Sequence, residues 1–251
     1  MAHDQAAWPP ATELYKVCQG DAGMMPLPFP RPFHPWPFMS IIVRTLSDQT
    51  YEVVRRKILP GSIAPGTPVR QDVIATELGV SKIPLREALG RLEQDGLLTS
   101  YPNRGYVVRP MSMEEASEIF ALRLKLEPGA VANGAGRATA ADHAAARTAL
   151  EALEKNQDLD GADHVAQNRQ FHLSMIQPAG PVTCQLLTRL LILSERYVRM
   201  HLEPKGREDR AKREHRAILD AWTNGDAALV ERLIREHIQA TLDDLHEQLG
   251  G

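Results

Sequence analysis

The sequence predicts a mainly α-helical protein in two parts. A short N-terminal unit of three helices ends in a β-hairpin, and an all-helical antiparallel bundle of about six helices follows. Three observations carry this prediction. Residues 65–110 read PGTPVRQDVIATELGVSKIPLREALGRLEQDGLLTSYPNRGYVVRP, a helix, a tight turn, a second helix and a hairpin in unbroken order. From Ser112 onward, apolar residues recur at helical spacing between breaks rich in Gly, Pro and Asn. No alternating β-prone pattern returns after Pro110.

Residues 1–40 form a Pro-rich extension. PLPFPRPFHPWPF alternates proline with aromatics, which excludes a helix or a central strand. Its two readings are a disordered tail and a docking peptide in polyproline conformation. Met39 stands directly before the first helical pattern and is an alternative start codon.

The first helix spans residues 46–58, LSDQTYEVVRRKI, with Ser47 or Asp48 as its cap. Leu46, Tyr51, Val54 and Ile58 are its expected core stripe. Val73, Ile74 and Leu78 mark the second helix, which Gly79 ends. Ser81 offers an N-cap oxygen to the third, with Pro84 in its first turn. Leu85, Ala88, Leu89 and Leu92 line one face of that helix; Lys82, Ile83, Arg86 and Glu87 line the other. LLTSY and YVVRP then flank Pro102-Asn103-Arg104-Gly105, a hairpin with a basic tip and a permissive glycine. This is the plan of a winged helix-turn-helix over residues 41–110. An Arg on its exposed face can bridge a guanine edge or a phosphate, and a wing-tip Arg can reach backbone or minor groove.

Residues 111–251 hold the bundle, with helices expected near 112–134, 139–156, 162–177, 181–202, 207–223 and 226–248. Ser112-Met113-Glu114-Glu115 is a capping start. Pro128-Gly129 is expected to kink or split the first of these helices.

The net charge of −3 is not that of a wholly basic nucleic-acid protein, but its distribution is uneven. Residues 41–110 carry ten Lys and Arg against seven Asp and Glu, a net +3, and are the one positive block. A basic module joined to an acidic one fits DNA reading coupled to sensing or assembly. Cys18 and Cys184 offer no disulfide framework, which points to a reducing cytoplasm. No run of 18 apolar residues predicts a membrane span, and the N-terminus lacks the pattern of a secretory signal.

GVSKIPLREALGRLEQDGLL followed by RGYVV resembles the DNA-binding module of GntR-type transcriptional regulators, over roughly residues 46–110. The resemblance implies that the helix from Ser81 to Asp95 enters the major groove. Lys82 and Arg86 match positions of DNA contact, and Gly105 matches the wing tip. With Ser81 and Arg104, these residues form the expected DNA-contact set. Asp72 departs from the Arg that many relatives carry in the preceding helix, which implies a shifted operator preference.

LRLKLEPGAV, NRQFHLSMI, EHRAILDAWTNGD and the terminal helix with EHI resemble the FCD domain of the FadR-like branch. The resemblance implies an effector-binding and dimerisation domain. Histidine spacing by itself selects no site: surface or core histidines account for it, and His164 offers a rival line with Asn168 and His172. In FCD domains an Asp or Asn four residues before the FH histidine, and one His on each of the last two helices, bind a metal. The matching residues are Asn168, His172, His215 and His237. Neutral imidazoles suit a divalent ion such as zinc or nickel, and Asn in place of a carboxylate leaves its positive charge undiminished. Arg123 falls on an apolar stripe, where a guanidinium needs a partner. Glu127, one turn on, offers a local ion pair. The alternative is that Arg123 clamps an effector carboxylate, and the resemblance places an Arg there too.

These readings predict a cytoplasmic repressor that binds a pseudo-palindromic operator in double-stranded DNA as a homodimer, answers to a small organic acid, and catalyses nothing. The rivals are a metal-dependent hydrolase or lyase with an accessory DNA module, and an architectural DNA-binding dimer without an effector.

Overall fold

The first described helix, α1 (Leu46–Ile58), begins with a reciprocal cap. Thr45 Oγ1 accepts from the Asp48 N–H at 3.1 Å, and the Asp48 carboxylate accepts from the Thr45 N–H at 2.9 Å. The expected cap at Ser47 or Asp48 is corrected: Asp48 is the second half of a box that Thr45 opens. Tyr51, Val54 and Ile58 are buried as expected, whereas Leu46 is 51% exposed, because the buried face starts a turn later at Thr50. The structure is a computed structural model, and it describes residues 45–155, 162–202, 204 and 206–249. The Pro-rich extension over residues 1–40, Cys18 and the expected break at Asp158–Gly161 lie outside them.

Helix α2 (Gln71–Leu78) ends at Gly79, whose φ of 64° needs a residue without a Cβ. Ile74 is buried, but Val73 is 56% exposed and leaves the expected stripe. Helix α3 (Lys82–Gln94) buries Leu85, Ala88, Leu89 and Leu92 completely against α1 and the hairpin. Ser81 has the extended N-cap conformation, yet its side chain makes no capping hydrogen bond, which corrects that detail. Strands β1 (Leu98–Tyr101) and β2 (Gly105–Val108) pair antiparallel, Leu98 opposite Val108 and Tyr101 opposite Gly105. Residues 66–69 add an edge to β2: Gly66 N–H donates to Val108 O and Val69 N–H to Tyr106 O, both at 2.8 Å.

The bundle contains α4 (Met113–Ala135), α5 (Ala140–Lys155), α6 (Ala162–Ile176), α7 (Pro181–Leu202), α8 (Arg207–Thr223) and α9 (Ala227–Leu249). Each begins and ends within one residue of the expected span. Ser112 Oγ caps α4 by accepting from the Glu115 N–H. Pro128 lies inside a continuous α4, so of the expected kink or split the split does not occur. Its missing N–H frees the Leu124 carbonyl, and Arg235 Nη1 of α9 donates to that oxygen at 3.2 Å. Gly134 lets α4 touch the α6 backbone, since a Cβ there would collide with the Met175 carbonyl. Phe120, Phe171, Tyr197 and Trp222 fill the core.

Charged groups join the winged part to the bundle. Arg55 of α1 pairs with Glu195 of α7, both buried. Arg169 of α6 approaches the other oxygen of the same carboxylate at 3.2 Å. Arg196 Nη1 donates to the Arg109 carbonyl at 2.6 Å and Arg196 Nη2 to Glu115 at 2.7 Å.

Candidate metal centre and nucleic-acid face

The outer face of α3 and the hairpin tip carry the expected DNA-contact set. Ser81, Lys82, Arg86 and Arg104 are exposed, and Gly105 is half-buried. The turn uses two left-handed residues, Asn103 at φ 60° and Gly105 at φ 73°, which push Arg104 outward. The side chains of Arg86 and Arg104 form no ion pair among the described residues. Lys82 differs: its Nζ lies 2.8 Å from Asp72 Oδ1 of α2, and both groups are open to solvent. Lys82 accordingly holds the Asp72 carboxyl below the usual carboxylate range. Asp72 is thus the partner, in the free protein, of one of the two expected α3 contacts.

In the bundle, α6, α8 and α9 each deliver one histidine to a common point. His172, His215 and His237 are buried, and one ligating nitrogen from each lies within 4.8 Å of the other two. The ring centres of His215 and His237 are 4.7 Å apart, and His172 stands 5.5 Å from each. His215 has no acidic neighbour among its charge influences, and burial pushes its pKa well down. Burial also lowers His172, outweighing the Glu127 carboxylate beside it. Both shifts favour the neutral ring, the form that binds metal.

Two carboxylates orient this cluster. His172 Nδ1 is 2.7 Å from Glu127 Oε1, and His237 Nδ1 is 2.6 Å from Glu214 Oε2. Burial pushes the Glu127 carboxyl up, but Arg123 and His172 more than offset this and hold it below the usual range. Glu214 is likewise held down by His237 against the effect of burial. An ionised carboxylate accepts from Nδ1–H and so turns the lone pair of Nε2 to the other side of the ring. The Nε2 atoms of His172 and His215 are both buried and without a hydrogen-bond partner. Buried ring nitrogens are normally satisfied. Orphaned imidazole nitrogens beside carboxylate-oriented rings fit a divalent ion of the zinc or nickel class.

A small cavity of about 20 Å³ adjoins the cluster, lined among others by Asn168, His215, His237, Arg123, Leu153 and Val198. It has room for about one water molecule. Arg123 makes the expected ion pair with Glu127 and also lines the cavity. Its Nε donates to Glu127 Oε2 at 2.9 Å and its Nη1 to Ser194 Oγ at 3.3 Å, while the side chain still lines the cavity. His164 lines the cavity as well but is not one of the converging three.

Sequence reading missed Glu214. It precedes His215 directly, so its side chain leaves α8 about 100° away and reaches α9 instead. It also missed Glu127 as a partner of His172, and the cluster in which the Asp244 carboxylate pairs with Arg210 and lies 2.9 Å from His201 Nδ1. Burial brings His201 down to about 4. A helical signal existed for none of these, because every partner sits on another helix.

Residues 46–108 match the family model described as bacterial regulatory proteins, gntR family, and residues 118–240 match the FCD domain. The chain belongs to the GntR family. It is 27% identical to the HTH-type transcriptional repressor RspR of Escherichia coli K12 over 210 residues, 80% of this chain and 90% of that one. It is 28% identical to a probable D-xylose utilization operon transcriptional repressor of Paenarthrobacter nicotinovorans, over 82% of this chain and 92% of that one. The solved structure of E. coli McbR/YncC shares the fold, with a TM-score of 0.67 at 24% identity, covering 81% of this chain and 98% of that one. The protein is thus a DNA-binding transcriptional regulator and not an enzyme. The hydrolase or lyase reading falls with that finding. No helix among the described residues is long and apolar enough to cross a membrane.

Proposed function

We propose that this regulator is a cytoplasmic repressor whose operator affinity is set by a small carboxylate bound beside a divalent ion. The observation that carries the reading is the meeting of His172, His215 and His237, with two buried Nε2 atoms left unbonded. These three residues would hold the ion, and Asn168 on the cavity wall would be its weak or water-mediated partner. When bound, the ion supplies undiminished positive charge and open positions for an oxygen ligand. Arg123 orients the same carboxylate, with Glu127 and Ser194 fixing its guanidinium.

The size of the cavity supports a regulatory role. About 20 Å³ does not admit a sugar acid or an amino acid, so such a ligand has to part the surrounding helices. Helix α6 carries Asn168 and His172, and the residue between Asn168 and Gln170 is Arg169, which reaches Glu195 and thus Arg55 of the DNA-binding part. Movement of α6 is therefore felt at α1.

Pairing of two chains completes the reading. Leu122 and Leu126 of α4 and Val182 and Leu186 of α7 are exposed, and in a groove between these helices an apolar strip of Leu122, Leu190 and Leu193 is bordered by Arg109, Glu114, Glu115 and Glu118. A second copy covering this apolar surface gives a homodimer whose two winged parts meet half-sites of a pseudo-palindromic operator. Exposed Ser81, Lys82, Arg86 and Arg104, with half-buried Gly105 at the wing tip, are the DNA contacts.

Metal analysis of the purified protein, followed by titration of the operator complex with small acids, tests this. Each His→Ala variant is expected to lose metal, Asn168→Asp to retain it more firmly, and an acid to lower operator affinity only in the metal-loaded protein. Unchanged metal content in the triple His variant would refute the site.

A further inference from the structure

We propose that Ile83 reads a thymine in each half-site by packing on its 5-methyl group, within two base pairs of the guanine read by Arg86. The inference rests on α3 being the helix that enters the major groove. Ile83 is 71% exposed and lies in the first turn of α3 between Lys82 and Arg86. Nothing in the fold calls for an isoleucine there. The α3 core is complete without it, since Leu85, Ala88 and Leu89 are fully buried on the other face. Helix propensity does not favour it either, because β-branched residues lose rotamer freedom in a helix.

Its neighbours on the face are already engaged. Lys82 is held 2.8 Å from Asp72, and Glu87 accepts a hydrogen bond from Ser47. Arg86 and Ile83 are left as the two side chains of this turn with no partner among the described residues. Entry into the groove removes water from both. A guanidinium finds the N7 and O6 acceptors of guanine. An isoleucine can gain only from an apolar group, and the 5-methyl of thymine is the apolar group on the major-groove edge of the four bases. Residues three apart on a helix stand about 5–6 Å apart, and base pairs rise about 3.4 Å each. The methyl and the guanine are therefore one or two steps from one another.

The test uses the full-length protein and a duplex that it selects from a random pool. Each thymine is replaced in turn by deoxyuridine, which removes only the methyl, and binding is measured at fixed salt. One position per half-site is expected to weaken the parent about fourfold, the effect of burying one methyl-sized group. In Ile83→Ala the same replacement is expected to have no effect. Selected half-sites without a shared thymine, or deoxyuridine effects of equal size in parent and Ile83→Ala, overturn the proposal. Arg86→Ala separates this failure from that of the underlying reading. If Arg86→Ala binds like the parent, α3 does not read the groove. If it binds weakly while no deoxyuridine effect depends on Ile83, only the methyl contact is wrong.

Discussion

The two ends of this protein use arginine in opposite ways. On the outer face of α3 and at the hairpin tip, Arg86 and Arg104 are exposed and form no ion pair among the described residues, available to a partner that arrives from outside. In the bundle, Arg123 is buried and tied to Glu127, which is tied in turn to His172. The first arrangement costs the fold nothing and leaves electrostatic energy for DNA. The second spends its electrostatics on holding a cluster in one geometry. The contrast teaches that substitution at the surface should change binding without stability, and substitution at the centre should change both.

The largest expected effect lies at the centre. Glu127→Ala strands the Arg123 guanidinium and removes the acceptor of His172 Nδ1. Breaking a buried ion pair from one side costs about 3–5 kcal/mol, so the melting temperature should fall steeply. Arg123→Met combined with Glu127→Leu should recover most of that stability, while metal retention stays impaired because His172 is no longer oriented. If Glu127→Ala melts like the parent, the buried chain from Arg123 to His172 does not exist as described.

At the surface the effect is smaller and of another kind. Arg86→Ala should weaken operator binding by about 1–3 kcal/mol and flatten specificity at one position per half-site, with melting unchanged. Arg104→Ala at the wing should weaken binding to all sequences more evenly. Equal loss of specificity in the two variants would erase the distinction between groove reader and wing anchor.

These two regions were not equally legible beforehand. The spans of α4 to α9 follow from periodicity and breaks, and the apolar face of α3 from the spacing of Leu85, Ala88, Leu89 and Leu92, because these signals are local. The three histidines were legible only through a resemblance, since they lie on three helices whose mutual rotation no single-helix pattern fixes. Glu214–His237, Arg55–Glu195 and Arg235 on the Leu124 carbonyl were invisible for the same reason. The cap error was local, since Thr45 and not Ser47 takes the extended cap conformation; Pro128 stays within α4 for a non-local reason, because Arg235 of α9 satisfies the carbonyl it frees.

Acidity separates the two regions again. His172 and His215 have lowered pKa values, so the folded metal-free protein keeps them neutral while the unfolded chain takes up protons near the ordinary value of about 6.5. The unfolded state then binds more protons than the folded one, and stability rises with pH across that window. The contribution is fully present above about pH 6.5 and is lost as the pH falls below it, by up to about 1.4 kcal/mol per unit for each ring. Melting curves of chelated protein between pH 7.5 and 5 should show this slope, and His215→Leu should reduce it. A slope unchanged by that substitution would mean that His215 is protonated in the fold.

The smallest expected effect on stability tests whether the two regions communicate. Arg169 is partly exposed and shares Glu195 with Arg55, so Arg169→Met leaves that carboxylate with a partner. The stability change should stay under about 1 kcal/mol. Operator affinity of the metal-free protein should be unaffected, because Arg169 touches neither α3 nor the wing. What should shrink is the difference in operator affinity between metal-free and metal-loaded protein. A tenfold difference corresponds to about 1.4 kcal/mol of coupling, an amount that one well-formed charged contact can carry. Helix α6 bears Arg169 beside Asn168 and one turn from His172, so a ligand-driven shift of α6 alters the separation of Arg169 and Glu195 and with it the hold on Arg55. Glu195→Gln is a harsher version and should also lower the melting temperature, since it weakens the pairing of buried Arg55 and of partly exposed Arg169 at once. If Arg169→Met retains the full metal-dependent difference, the signal crosses elsewhere, and Arg196 with its bonds to Arg109 and Glu115 is the next junction to cut.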